Sequence, residues 1–310
     1  MINSEQHLTL KNNKNEQMKV AIYGQYFKIE DSQYVEELFQ ILTTNNIEYV
    51  IELKYYKALK KHLNIEKCKT FSSFRKLNNT FDFMFTIGGD GTILRAVTYI
   101  RESNIPIVGI NTGRLGFLAT VQKENIFNAV ASLLKKEYVI KDRSLLSVTT
   151  SPKIKSLSSL NFALNEVSVN RKNTASMITI KTFLDDEFLN SYWADGLIIA
   201  TPTGSTGYSL SCGGPIITPR AKSFVITPIA PHNLNARPLV IPEDTKITFT
   251  VSGREDQFFL SLDSRIKTIN NNTEITIKKA DFNLKMVKFK EQTFLKTLRE
   301  KLLWGQDTRN

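Results

Sequence analysis

The hydrophobic pattern of this 310-residue chain changes its period once, near Lys141. Ahead of that point, short apolar runs alternate with segments whose apolar residues recur every three or four positions. Lys19 to Tyr23 is an apolar run that stops at Gly24 and reads as a buried strand. Tyr34, Val35, Leu38, Ile41 and Leu42 share one helical face, with Ser32 as the expected N-cap and Glu36 and Glu37 favouring the first turn. Ile47 to Leu53 reads as a strand. Phe81 to Ile87 is apolar nearly throughout, as in a strand covered on both faces, and Ile107 to Ile110 is similar. Ile126, Phe127, Val130, Leu133 and Leu134 again fit a helix. Strands alternating with helices predict a Rossmann-like α/β domain with a mostly parallel sheet.

Beyond Lys141 the chain offers short β-rich runs separated by turn residues. Met177 to Phe183, Leu197 to Ala200, Phe224 to Ile229, Ile247 to Val251 and Phe258 to Leu262 are the clearest, and Asp185-Asp186 reads as a hairpin turn. Many short strands with little helix between them predict an all-β, sandwich-like domain. Phe294, Leu295, Leu298, Leu302 and Leu303 then predict a closing helix, whose apolar face needs cover from the first domain. The expected organisation is a flexible polar leader over 1–17, an α/β domain over 18–140, a β-rich domain over 141–289 and a C-terminal helical segment over 290–310.

Composition narrows the class of partner. The net charge of +11 suits phosphorylated small molecules, nucleic acid or a membrane surface. The basic residues are scattered, however, with no clustered face of the kind nucleic acid requires. Cys68 and Cys212 stand far apart, and His7, His62 and His232 are dispersed, so neither a structural zinc site nor a disulfide framework is expected. A reducing cytoplasm fits that usage. No apolar run approaches the ~18 residues of a membrane-spanning helix, and the N-terminus lacks the apolar core of a signal peptide.

Three segments carry chemistry. Thr86-Ile87-Gly88-Gly89-Asp90-Gly91-Thr92 leaves an expected buried strand and enters Ile93, Leu94, Val97 and Ile100, which have helical spacing. A strand, a glycine turn and a helix N-terminus together present backbone N–H groups to phosphate. A carboxylate in such a turn repels anions, so Asp90 suggests acid–base work or contact with a magnesium ion. The competing reading is a tight turn in which Asp90 caps the helix. Arg95, one turn on, could offset phosphate charge. Neither GxxxxGK[ST] nor GxGxxG is present. Gly109-Ile110-Asn111-Thr112-Gly113-Arg114-Leu115-Gly116-Phe117 also leaves a strand, and ligands of open α/β sheets sit at such carboxyl ends. The third segment runs from Asp195 through Thr201-Pro202-Thr203-Gly204-Ser205-Thr206-Gly207-Tyr208-Ser209-Leu210-Ser211 to Pro215. Its hydroxyls and amides can bind a purine edge, a ribose or a phosphate, and Tyr208 can cover a base. A solvated loop has the same composition.

Together these segments resemble the NAD kinase family. GGDGT, NTGxLGF, the Asn165-Glu166 pair, the DG…TPTGSTxYSLSxGGP block and the segment from Pro231 to Leu239 occur in that family's order, from about Met18 to about Phe289. The long block is specific; GGDGT alone also occurs in lipid kinases and phosphofructokinases. The resemblance implies phosphorylation of the adenosine 2′-hydroxyl of NAD, with ATP or polyphosphate as donor and NADP as product. It makes Asp90 the base and places Gly91 and Arg95 beside the nucleotide phosphates. Asn165 and Glu166 would bond ribose hydroxyls or the base. Asp195, Thr206, Gly207, Tyr208, Ser209, Leu210 and Ser211 would line the NAD pocket. Ser176, Trp193, Ala230 and Arg265 fall where members place less constant ligand contacts. Gly207 replaces the family's usual alanine, and Trp193 stands where many members carry a polar residue.

The resemblance also implies a divalent ion, Mg2+, bound mainly through the phosphoryl donor and with no protein metal site. It implies a cytoplasmic homo-oligomer, dimer or tetramer, without nucleic-acid or membrane partners. Two other classes compete. A lipid or sugar kinase has no need of the long hydroxyl-rich block, and a non-catalytic NADP(H) sensor has no use for Asp90.

Overall fold

The computed structural model describes residues 17–304, apart from Glu66, Thr174, Ala175, Leu234 and Glu291. The expected leader lies outside the described residues except for Gln17, whose side chain donates to the Asn46 carbonyl at 2.8 Å. The chain forms two compact units: residues up to Asp142 together with those from Lys285 onward, and Arg143–Leu284.

The first unit is built on a sheet in the order Lys69–Phe71, Glu48–Glu52, Lys19–Gly24, Phe83–Ile87, Ile107–Asn111, Leu284–Phe289, Tyr138–Arg143. The first five of these strands pair in parallel, with Gly24 level with Ile87 and Ile87 level with Ile110. Three strands thus end together, and the glycine segments begin there. Phe83–Ile87 and Ile107–Asn111 are buried at every position, which accounts for their unbroken apolar sequence. The helices Ser32–Thr44 and Ile126–Leu134 bury the residues that their spacing selected, among them Val35, Leu38, Ile41 and Leu42 in one and Ile126, Val130 and Leu133 in the other. Each large apolar side chain buried this way contributes about 1.5–3 kcal/mol.

Local details differ from expectation. Ser32 is the first helical residue, not the cap; Asp31 precedes it, and the Ser32 hydroxyl turns back to the Ile29 carbonyl at 2.6 Å. A helix over Leu53–Leu59 follows the second strand directly, capped by Glu52, which accepts from the Tyr55 amide at 2.9 Å. Its Tyr55 ring fills the space where Gly24 lacks a side chain: a Cβ on Gly24 would stand 2.4 Å from that ring.

The largest departure concerns the chain's return. Leu284–Phe289 joins the parallel sheet of the first unit, with Met286 opposite Ile107. The β-rich span 141–289 therefore reaches too far at its end, and its first residues belong to the edge strand Tyr138–Arg143. An isolated six-residue strand carries no mark of which sheet will accept it. The closing helix is Phe294–Leu302, capped by Thr293, and it buries Thr297 and Leu298. Leu295 and Leu303 stay exposed, so only part of the predicted apolar face is covered.

The second unit holds two six-stranded sheets with antiparallel pairing. One runs Leu239–Pro242, Ser223–Ile229, Gly196–Ala200, Glu166–Arg171, Gln257–Leu262, Arg265–Asn270. The other runs Glu187–Ala194, Ile178–Leu184, Ile247–Ser252, Glu274–Lys279, Leu146–Ser151, Phe162–Ala163. Alternate residues such as Ile247, Phe249 and Val251 enter one apolar core shared by both sheets, as in a sandwich. Asp185 and Asp186 both take positive φ, at 47° and 71°, in the predicted hairpin turn.

Candidate active site

In the first unit, the GGDGT turn leaves Phe83–Ile87 and opens the helix Asp90–Ile100. Gly88 has φ +145°, and a Cβ there would meet the Thr92 hydroxyl at 2.3 Å, so this position requires glycine. Gly89 is the N-cap residue, and Asp90 makes no capping bond. Its carboxylate instead reaches the second glycine segment. Oδ2 accepts from the Phe117 amide at 2.8 Å, and Oδ1 accepts from Leu118 and Ala119 at 3.0 and 2.9 Å. Gly116 makes this approach possible, because a Cβ there would stand 1.9 Å from Asp90 Oδ1.

Fully buried Asn111 shapes that loop. Its side-chain amide donates to the carbonyls of Arg114 and Ala119, and its oxygen accepts from the Gly113 amide at 2.7 Å. The loop rests on Gly109, where a Cβ would stand 2.9 Å from Ala119 Cα. On the helix, Gly91 and Arg95 lie four residues apart and both are exposed, which suits an anion at the helix N-terminus. Tyr23, on the neighbouring strand, has its phenol pushed up to about 12, chiefly by burial, so it stays neutral near pH 7.

In the second unit, the Asn165-Glu166 pair sits where Glu166–Arg171 begins. Asp263, in the turn between Gln257–Leu262 and Arg265–Asn270, accepts from the amides of Leu164, Asn165 and Glu166 at 3.0, 2.8 and 3.3 Å. Its own amide donates to the Glu166 carbonyl at 2.9 Å. Residue-by-residue reading of the sequence misses Asp263; the usable signal is an Asp-Ser step between two β runs, and Asp263 does hold φ +50°. Asn165 Oδ1 and Glu166 Oε2 are buried without a hydrogen-bond partner. Such atoms are rare in a settled interior. Burial, reinforced by the Asp263 charge and opposed by a bond from the Tyr208 amide, pushes the Glu166 carboxyl up to about 7.

The hydroxyl-rich loop closes on this pair. Thr201 donates through its amide to the Asn165 carbonyl and through its hydroxyl to the Leu164 carbonyl. Gly204 lies so near that a Cβ would stand 2.1 Å from the Asn165 oxygen. A Cβ at Gly207 would meet Glu166 Oε2 at 3.3 Å, so the glycine gives the carboxylate slightly more room than an alanine would. Tyr208 is 41% exposed; partial burial raises its phenol first, with the charges of Cys212, Asp195 and Glu166 adding to it. Asp195 pairs with Arg171 at 2.9 Å.

The expected pocket residues thus divide. Asn165, Glu166, Gly207 and Tyr208 cluster, with Asp195 in electrostatic reach. Ser209 does not join them: it is fully buried, with its hydroxyl on that of Thr227 at 2.8 Å. Ser205 is equally interior and ties Pro202 to Ile217. Thr206 donates to the Thr203 carbonyl at 3.3 Å. Leu210 and Ser211 complete the short helix Tyr208–Ser211. Arg265 directs its guanidinium to the carbonyls of Leu160 and Phe162 and stands 3.7 Å from Asp263, so it braces the Asp263 turn. Trp193 is half exposed, with its ring 4.4 Å from that of His232. Ala230, at φ +42°, follows Ser223–Ile229, and Ser176 is half-buried just before Ile178–Leu184.

Among the described residues, no group of three His, Cys, Asp or Glu side chains is placed to hold a metal, and no helix is long and apolar enough to cross a membrane.

Two family models match the chain: the ATP-NAD kinase N-terminal domain over residues 11–138 and the ATP-NAD kinase C-terminal domain over residues 164–289. A curated NAD kinase from Flavobacterium johnsoniae is 56% identical over 294 residues, covering 94% of this chain and 100% of its own. An NAD kinase from Archaeoglobus fulgidus, solved in complex with ATP, is similar with a TM-score of 0.71 at 27% identity, covering 92% of this chain and 99% of its own. Yeast NADH kinase, solved with NADH, has the same fold at a TM-score of 0.84 and 24% identity, over 96% of this chain and 90% of its own. With both halves matched and a full-length relative at such identity, the chain belongs to the NAD kinase family.

Proposed function

We propose that phosphorylation of NAD to NADP, the reaction of this family, runs on this chain with Asp90 as the acceptor of the adenosine 2′-hydroxyl proton and ATP as phosphoryl donor. The observation that carries the reading is the seating of Asp90. Three main-chain amides fix its carboxylate at a helix N-terminus beside exposed Gly91 and Arg95. Of its two oxygens, Oδ2 takes a single amide, which leaves acceptor capacity for a hydroxyl. Phosphoryl transfer depends mainly on positioning and charge, with a carboxylate to receive the acceptor's proton.

Arg95 and the helix N-terminus would screen the donor phosphates. The partnerless oxygens of Asn165 and Glu166 would accept from ribose hydroxyls or the base, and exposed Tyr208 would cover a ring face. Thr206 and Asp195 would serve the polar edge of that pocket. A magnesium ion carried by the donor fits these residues, since among the described residues no group of His, Cys, Asp or Glu side chains is placed to cage one. Bound there, such an ion supplies charge neutralisation on the phosphates.

The same reading makes the chain a cytoplasmic homo-oligomer, dimer or tetramer. Unpaired Cys68 and Cys212 support the first point, and half-exposed Trp193 with exposed Val240 and Ile266 supports the second. Sedimentation at micromolar concentration tests the assembly; a fully active monomer would count against it. The reaction itself is tested by crossing NAD and NADH with ATP and polyphosphate and locating the new phosphate. Transfer to the 2′-oxygen with ATP is expected. Transfer to another hydroxyl, or none with any donor, would sink the proposal.

A further inference from the structure

The loop that seats Asp90 is fastened at its far end by a residue from the other end of the chain. Gln292 donates through Nε2 to the Thr120 carbonyl at 2.8 Å, and its Oε1 accepts from the Thr120 hydroxyl at 2.7 Å. Both polar atoms of one side chain are thus spent on one residue, 172 positions away. The carbonyl can only accept, which fixes the amide's orientation. Thr120 directly follows Ala119, the last of the three residues whose amides reach Asp90. Two positions after Gln292, the Phe294 ring stands 6.3 Å from that of Phe117, the first of the three.

Beyond Gln292 the C-terminal helix is seated in part, through buried Thr297 and Leu298. A cleft of about 690 Å³ is lined by Asn128 and Ser132 of one helix and by Lys296 and Thr297 of the other. The Asn111 side chain holds the same loop from within, at the carbonyls of Arg114 and Ala119, and Gln292 adds the fastening at Thr120 that comes from outside the loop.

We propose that Gln292 is a positioning residue for phosphoryl transfer. It touches no reacting atom; through Thr120 it keeps the amides of Phe117, Leu118 and Ala119 aimed at Asp90. The proposal rests on the reading of Asp90 given above.

The test uses the full chain with Gln292→Ala, Thr120→Val and Thr120→Ser. Misplacing a reacting group by about 1 Å costs up to roughly 10²-fold, so Gln292→Ala should lower kcat by about 5- to 50-fold. KM for NAD should move less than about twofold, because nucleotide contacts are untouched. Thr120→Val should give part of that loss. Thr120→Ser, which keeps the hydroxyl, should stay within about twofold of wild type. Amide exchange supplies a readout that does not depend on turnover: Phe117 to Ala119 should exchange about tenfold faster in Gln292→Ala, while helix Ser32–Thr44 stays protected. In an Asp90→Asn background, Gln292→Ala should cost little more, since the two act as a unit.

Unchanged exchange at Phe117 to Ala119, unchanged kcat, or a global loss of protection throughout the first unit would each overturn the proposal. A catalytically intact Asp90→Asn beside an impaired Gln292→Ala would end the base assignment but leave the loop-positioning role of Gln292 standing.

Discussion

Asp90 in the first unit and Asp263 in the second solve the same local problem with opposite surroundings. Each carboxylate gathers three consecutive main-chain amides, Phe117 to Ala119 for one and Leu164 to Glu166 for the other. Asp263 has a side chain only 4% exposed, an arginine 3.7 Å away and a chain direction reversed by its own turn. Asp90 is half-buried at the mouth of a helix, beside the exposed Gly91 and Arg95. The amide seat alone therefore does not make a reactive group. Solvent access separates the Asp90 carboxylate, open at a helix mouth, from the Asp263 carboxylate, which shapes the backbone under the Asn165-Glu166 pair.

The sharpest way to break this comparison is Asp90→Asn against Asp263→Ala. Loss of a general base costs about 10²–10⁴-fold, so kcat of folded Asp90→Asn should fall by that range while NAD affinity changes far less. A folded variant that keeps more than about a tenth of wild-type kcat would show Asp90 to be, like Asp263, a shaping group. Asp263→Ala should act on stability. It strands three main-chain amides, each worth about 1–3 kcal/mol when left unsatisfied in a buried site, read as a fall in denaturation midpoint. Its KM for NAD should rise, because Asn165 and Glu166 lose their backbone anchor. A stable Asp263→Ala with normal KM would erase the distinction from the other side.

Glu166 sharpens the comparison through pH. Its carboxyl is raised from an ordinary 4.5 to about 7 by burial, with the Asp263 charge second. Between those values the unfolded chain releases this proton while the folded one keeps it. The group's contribution is thus fully present below pH 4.5 and is lost as pH rises through about 7. Each pH unit of that interval is worth about 1.4 kcal/mol, so Glu166→Gln should flatten this part of the stability profile by up to about 3 kcal/mol. Chemical denaturation from pH 5 to pH 8 would read it, and an unchanged slope would remove Glu166 as its source. Smallest of all is Gly207→Ala. Its Cβ would stand 3.3 Å from Glu166 Oε2, a contact a few tenths of an ångström of movement relieves. KM for NAD should change by less than about twofold, a small fraction of a kcal/mol, and a tenfold change would mean that the room left by this glycine matters for binding.

Strand, glycine turn and helix at Ile87 to Ile100 are legible in sequence because the signals are local: an apolar run, two glycines and then helical spacing. The same holds for the alternating strands of the second unit, whose single buried face imposes a period of two, and for the Asp185-Asp186 hairpin, whose residues tolerate positive φ. Motif order was enough to point to the family. Composition failed where it could not assign a facing. Ser209 stands among residues that suit a ligand wall, yet its hydroxyl turns inward to Thr227. Ser32 has the chemistry of a cap and begins the helix proper.

The sequence by itself determined the two kinds of sheet, the positions of the glycine turns and the residue types available at each, because these depend on neighbours a few positions away. Only the tertiary structure decided what those residues meet. Asp90 finds its amides 27 to 29 positions on, Asp263 finds its own 97 to 99 positions back, and Gln292 clasps Thr120 across 172. Leu284–Phe289 enters a parallel sheet begun nearly the whole chain earlier. Contacts of that range follow from how packed elements bring distant backbone together, and the period of a short strand or the composition of a loop carries no information about the partner it will receive.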